Sequence, residues 1–234
     1  MKKLKDNLIK AILNPKKLLL FIKRNLYEYL VVFWDSKTIK NTEKALFIDC
    51  GANIGQGFTF FSKYYKKNNI TFNLFEPNPF CYKFLKKITK NKKNTFIKKY
   101  AVGVSSGAIS FYGLGEGEWG KLSQAGSVLK THNNVAYKAS EENKISVKSI
   151  DFSNFLEQQK KKFDKIIVKM DIEGYEIELL NNLIKRKTFH LIDVLYVEFH
   201  SRWLKEPDRT KRKKQEKEII QLFKKSDVKL RIWH

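Results

Sequence analysis

The segment Ala45 to Gly57, ALFIDCGANIGQG, constrains this chain more than any other, because a short apolar run ends on an acid and passes at once into glycines. A strand opening at Ala45 delivers Asp49 to the end of a sheet, where Gly51, Gly55 and Gly57 let the backbone turn tightly and approach a ligand. The stretch from Ile54 to Tyr65 is long enough to be the helix that follows, which makes the crevice a nucleotide-type pocket. Spacing then separates the classes that share this layout. A phosphate-cradling loop needs Gly-Lys-Ser/Thr, and none follows Gly57; the dinucleotide pattern GxGxxG needs a glycine where Asn53 stands. An acid immediately before the glycines suits a ligand with a cationic group and no pyrophosphate, which describes S-adenosylmethionine (SAM). Glu76 ends a second apolar strand, Thr71 to Phe75, where an acid accepts two hydrogen bonds from ribose hydroxyls.

Beyond this segment strands and helices alternate: Ala45 to Cys50, a helix to about Tyr65, Thr71 to Glu76, a helix over Asn78 to Thr89, and a strand over Thr95 to Val102. The second half resumes with a strand from Asp164 to Met170, a helix from Gly174 to about Lys185, a strand from Leu191 to Phe199, a charged helix from about Arg209 to Lys224 and a last strand from Val228 to Trp233. Such alternation implies right-handed crossovers and a mostly parallel sheet, an α/β doubly wound, Rossmann-like fold. Ala108 to Tyr112 alternates as a further strand with Ile145 to Ile150 near it. Between them runs a long Gly- and Ser-rich loop, either a functional lid, with Trp119, Ser123, Gln124 and Ser127 as the candidates for acceptor contacts, or a disordered segment. Residues 1–40 carry apolar positions at helical spacing, broken at Asn14-Pro15, and read as an N-terminal helical extension to a domain over 41–234. A packing arm is the favoured reading of these basic helices, with peripheral membrane contact as the other.

Lys169, Asp171 and Glu173 follow the fourth parallel strand, so Asp171 lies at its carboxyl end, where α/β proteins bind ligands. Alternate residues of a strand share a face. His200 ends the next strand with Glu198 two residues before it, a pairing expected to give an acid-oriented imidazole base. Asp171, Glu173, Glu198 and His200 are therefore the candidate catalytic residues. The carboxylates are also oxygen donors, but no metal site is assigned.

FIDCGANIGQG, then LFEPNP, YAVG, KMDIEGYE and YVEFH, in that order over about residues 45 to 200, resemble the successive motifs of the FkbM family of SAM-dependent methyltransferases. Tyr100 stands before AVG where the family commonly has a polar residue. The resemblance implies a class I Rossmann-like fold, SAM as cofactor, and cofactor contacts from Asp49, Gly51, Ala52, Asn53, Gly55, Glu76, Pro77, Asn78, Ala101, Val102 and Asp171. It implies O-methylation of a hydroxyl on a sugar, glycan or secondary metabolite. Two alternatives stay open: an RNA ribose 2′-O-methyltransferase, in which Asp171 and Glu198 combine with two lysines, and a non-catalytic SAM- or nucleotide-binding module. Sheets of this type have a seventh, antiparallel strand, for which no residues remain; the edge is open, or another segment or subunit covers it.

The net charge of +23 would ordinarily point to nucleic acid or an anionic membrane surface. Yet only six of the 47 basic residues are arginine, and phosphate recognition tends to use arginine forks, so the lysine excess reads as compositional and nucleic acid as the less favoured partner. Cys50 and Cys81 lack metal-binding spacing. With no signal-peptide core and no apolar run long enough to span a bilayer, they point to a reducing, cytoplasmic setting.

Overall fold

The structure, a computed structural model, describes residues 15–67, 69–114, 120–122, 125–130 and 142–233. Its contacts divide the chain into two units, Met1–Lys40 and Asn41–His234. In the first, helix α1 spans Pro15–Lys37. It begins where the expected break falls, with Pro15 at the first position, whose missing N–H no helical carbonyl needs. The other helix expected of this extension lies outside the described residues. Among those residues no helix is long and apolar enough to cross a membrane.

The second unit is an α/β domain. Strands β1 (Ala45–Cys50), β2 (Ile70–Phe75), β3 (Thr95–Lys98), β7 (Lys165–Met170), β8 (Val194–Val197) and β9 (Lys229–Ile232) form one sheet in the order β3-β2-β1-β7-β8-β9. Every pairing in it is parallel. The chain winds outward from β1 in one direction and then returns to build the other half from β7. The crevice at the carboxyl ends of β1 and β7 is therefore the point where strand order reverses, the ligand site of open α/β sheets. β1 is buried along its whole length, as a strand covered on both faces must be. Leu46 and Ile48 pack with Ile166 and Val168 of β7 and with Leu179, Leu180 and Leu183 of the following helix. On the opposite face Phe47 stacks among Phe61, Tyr65 and Phe72. Among the described residues no strand pairs with the outer side of β9.

The helices are α2 (Gln56–Phe61), α3 (Tyr82–Thr89), α4 (Phe152–Lys160), α5 (Glu176–Lys185) and α6 (Asp208–Lys224). Two differ from the sequence reading. α2 is shorter than Ile54 to Tyr65 because Gly55 holds a left-handed φ of 95° at its start and the chain leaves the helix after Phe61. α4 was not expected; the Asp151 carboxylate caps it by accepting from the Asn154 amide.

The stretch Thr95 to Val102, read as one strand, is two. β3 stays at the edge of the main sheet, while β4 (Ala101–Gly103) joins β5 (Gly107–Phe111) and β6 (Ile145–Asp151) in a second sheet ordered β4-β6-β5. β4 runs parallel to β6 and β5 antiparallel to it, so the strands expected over Ala108 to Tyr112 and Ile145 to Ile150 do pair.

Candidate active site

Strand register sets the first half of the site. β1 and β7 pair with Asp49 opposite Lys169, at their carboxyl ends. The Lys169 ammonium lies 3.2 Å from Asp49 Oδ1 and 3.2 Å from Asp171 Oδ2, and donates to the Gly51 carbonyl at 3.2 Å. The ammonium is thus hydrogen-bonded to one carbonyl and ion-paired with two carboxylates. Burial alone would lower the lysine pKa, but the Asp171 and Asp49 carboxylates outweigh it and hold the ammonium above its ordinary range. Asp49 is fully buried, and burial raises its pKa against the pull of Lys169. Its carboxylate faces that ammonium and the Phe58 amide without a well-formed hydrogen bond to either.

The turn after β1 is pressed hard against the turn after β7. Gly51 has φ 80°, and a Cβ there would lie 1.9 Å from the Asp171 carbonyl oxygen. The amides of Gly51 and Ala52 both donate to the Phe75 carbonyl, which brings this turn beside the end of β2. There Glu76, buried, accepts from the Asn53 amide at 2.6 Å and from the Asn78 amide at 2.7 Å, one on each carboxylate oxygen. Burial pushes its pKa up to about 7, against these two amide bonds. Asn78 also caps the short turn of Pro79–Cys81 and donates to the Lys121 carbonyl, and the Pro77 carbonyl accepts from the Tyr82 hydroxyl. Gly55 is closed in by Ile88 of α3. Ala101 and Val102 are carried by β4 into the second sheet, where Val102 packs in the cluster that holds Phe75 and Phe152.

The second half is built by the loop between β7 and α5 and by the end of β8. Glu173 at φ 53° and Gly174 at φ 97° turn the loop back on itself, a conformation that costs a non-glycine residue about 1 kcal/mol or more. Glu176, fully buried at the start of α5, holds it there by accepting from the amides of Ile172 and Gly174. Its Oε1 also faces His200 Nδ1 at 3.0 Å. His200 Nε2 lies 3.4 Å from Glu173 and 3.6 Å from Asp171. Burial would lower the imidazole pKa, but Glu176, Glu173 and Asp171 together drive it well above the ordinary histidine value. Glu176, Glu173 and Asp171 thus surround a buried imidazole and favour its charged form.

The expected Glu198–His200 pair is corrected by this geometry. β8 ends at Val197, and His200 has φ −98° and ψ 3°, so the same-face rule of an extended strand does not reach it. Glu198 turns to Arg202 at 3.2 Å, with its pKa raised by burial and by Asp171. Glu176 orients the ring instead. Glu176 ends the motif KMDIEGYE, within which the sequence reading assigned roles to Asp171 and Glu173 and none to it. Asp171, Glu198 and His200 do present ligand atoms within 4.8 Å of one another. Of the loop candidates, Ser127 is buried, pairs with Tyr112 through backbone bonds and accepts from the Leu129 amide with its hydroxyl, so it braces a turn. Trp119, Ser123 and Gln124 lie outside the described residues.

The family described as the Methyltransferase FkbM domain matches residues 49–229. A solved structure, that of Methyltransferase FkbM from Methylobacillus flagellatus KT, is 14% identical with a TM-score of 0.40, over 65% of this chain and 31% of that one. This chain therefore spans about a third of that protein's length. No curated protein matches it. With the family match running from Asp49 at the end of β1 into β9, and taking in Glu76, Asp171 and His200, the chain belongs to the FkbM methyltransferase family.

Proposed function

We propose that this chain is a SAM-dependent O-methyltransferase whose acceptor is a hydroxyl of a sugar, glycan or secondary metabolite, and that it works in the reducing setting suited to its free cysteines, the cytoplasm. The observation that carries the reading is Asp171, which joins the two halves of the site: one oxygen is held by Lys169, the other faces His200. The residues present suit SAM. Asp49 is matched to the Lys169 ammonium and so fixes the lysine that holds Asp171. Each Glu76 oxygen uses one lone pair on an amide and keeps another for a ribose hydroxyl.

When bound, SAM supplies a methyl carbon already activated by its sulfonium. What remains for the protein is alignment, exclusion of water and disposal of one proton. Glu76 holds the ribose, with the Asn53 and Asn78 amides fixing the carboxylate plane. Asp171 receives the acceptor proton on Oδ1, because its side chain is the more accessible and Lys169 anchors the other oxygen. His200, whose charged form the surrounding carboxylates favour, steadies that carboxylate, and Glu176 steadies His200. Glu173 and Glu198 line the acceptor side.

The test is incubation with methyl-labelled SAM and a panel of neutral saccharides, small hydroxylated metabolites and RNA. The expected result is base-stable label on a non-RNA hydroxyl, lost in Asp171→Asn. Label on an RNA ribose would install the nucleic-acid reading, and absence of SAM binding would remove both.

A further inference from the structure

We propose that α1 seats this protein on the surface of an anionic lipid bilayer. Leu19, Leu26, Leu30 and Phe33 recur at intervals of seven, four and three residues, and Tyr27, Tyr29 and Trp34 flank them. At about 100° per residue all seven fall within an arc of roughly 160°. Every one is exposed, Trp34 to 65%. An apolar and aromatic face of this length on the surface of a protein marks an interaction site.

Three features select a bilayer as its occupant. Residues 1–40 hold ten lysines and arginines against three acids, a balance complementary to anionic headgroups and opposed to self-association. The flanking residues are tyrosine and tryptophan, which place an apolar body in the acyl boundary and a polar edge in the headgroups. The Lys37 ammonium lies over the Phe33 ring at 5.1 Å, so a charge that belongs with phosphates rides directly on the apolar face. The charged positions that interrupt α1 keep it from crossing the membrane, and a helix of this kind lies in the interface instead. The inference does not depend on which acceptor is methylated.

Flotation of the full chain with vesicles tests it. Vesicles of phosphatidylcholine with about 30% phosphatidylserine should bind at least tenfold better than phosphatidylcholine alone, since each basic residue near such a surface contributes roughly fivefold. Binding should weaken severalfold on raising salt from 0.1 M to about 0.5 M. Trp34 emission should shift to the blue, a signal absent in Trp34→Phe. Leu26→Glu with Leu30→Glu should weaken binding by tenfold or more with the thermal midpoint unchanged. Equal binding to both vesicle types, no binding, or binding retained by the double variant would overturn the proposal. So would a concentration-dependent dimer that the same two substitutions dissociate, which would make a second copy the occupant.

Discussion

Raising the pH from 6 to 8 should tighten SAM binding about tenfold, and Glu76 should be the cause. Burial lifts its pKa to about 7 even though two backbone amides already favour the ionised form. Ribose hydroxyls donate to a carboxylate, so the ligand selects the ionised state and pulls a proton off the protein. With a pKa near 7, about a tenth of the molecules carry the charge at pH 6 and about nine tenths at pH 8, a difference near 1.4 kcal/mol. Calorimetry at pH 7 in two buffers of different ionisation enthalpy should register release of about half a proton. Glu76→Gln should bind more weakly at pH 8 but with no slope between 6 and 8. The same group sets a stability trend of known sign. Its folded pKa exceeds the usual 4.5, so its contribution is full below pH 4.5 and lost as pH rises through about 7, by about 3 kcal/mol at most. A wild-type affinity that is flat across this range, or a slope that survives in Glu76→Gln, would refute the assignment of Glu76 to the ribose.

Lys169→Met should destabilise the fold by about 3–5 kcal/mol, because Asp49 and Asp171 lose the charge that compensates their burial; denaturant titration measures this. Glu176→Gln keeps an acceptor for the loop amides but removes the largest charge acting on the imidazole, so NMR should find the His200 pKa moved down toward the ordinary value. Asp171→Asn should lower turnover by roughly 10²-fold or more, and His200→Gln by less; the opposite ranking in steady-state kinetics would transfer the proton to the imidazole.

The halves of the site were unequally legible in the sequence. Asp49, the glycines and Glu76 could be read in advance because each is fixed by local rules: a strand, a turn that needs a left-handed residue, and an acid at a strand end. Asp171 follows from the same rules, since it comes directly after the end of β7, whereas His200 lies beyond the end of β8, where those rules stop. Glu176 was missed because its role depends on where the end of β8 comes to rest, which no local pattern encodes, and Glu198 was over-read by extending strand alternation past the end of the strand. The switch between β3 and β4 went unseen because TFIK and AVG are each good strands and the change of sheet happens in the two residues between them. α4 was overlooked although its Asp151 cap and the apolar spacing of Phe152, Phe155 and Leu156 are ordinary helix signals.

The contact at Gly51 limits how this protein could be remodelled. A single methyl group there would collide with the Asp171 carbonyl, so the turn that would cradle the donor and the turn that would receive the acceptor share one backbone surface with no side chain between them as a buffer. A loop grafted in place of residues 171–176 to accept a new substrate must reproduce that carbonyl position to within a few tenths of an ångström, or it will shift the turn that carries Asn53 onto Glu76. Acceptor range in this scaffold is therefore more readily diversified at Glu198 than in the loop that carries Asp171.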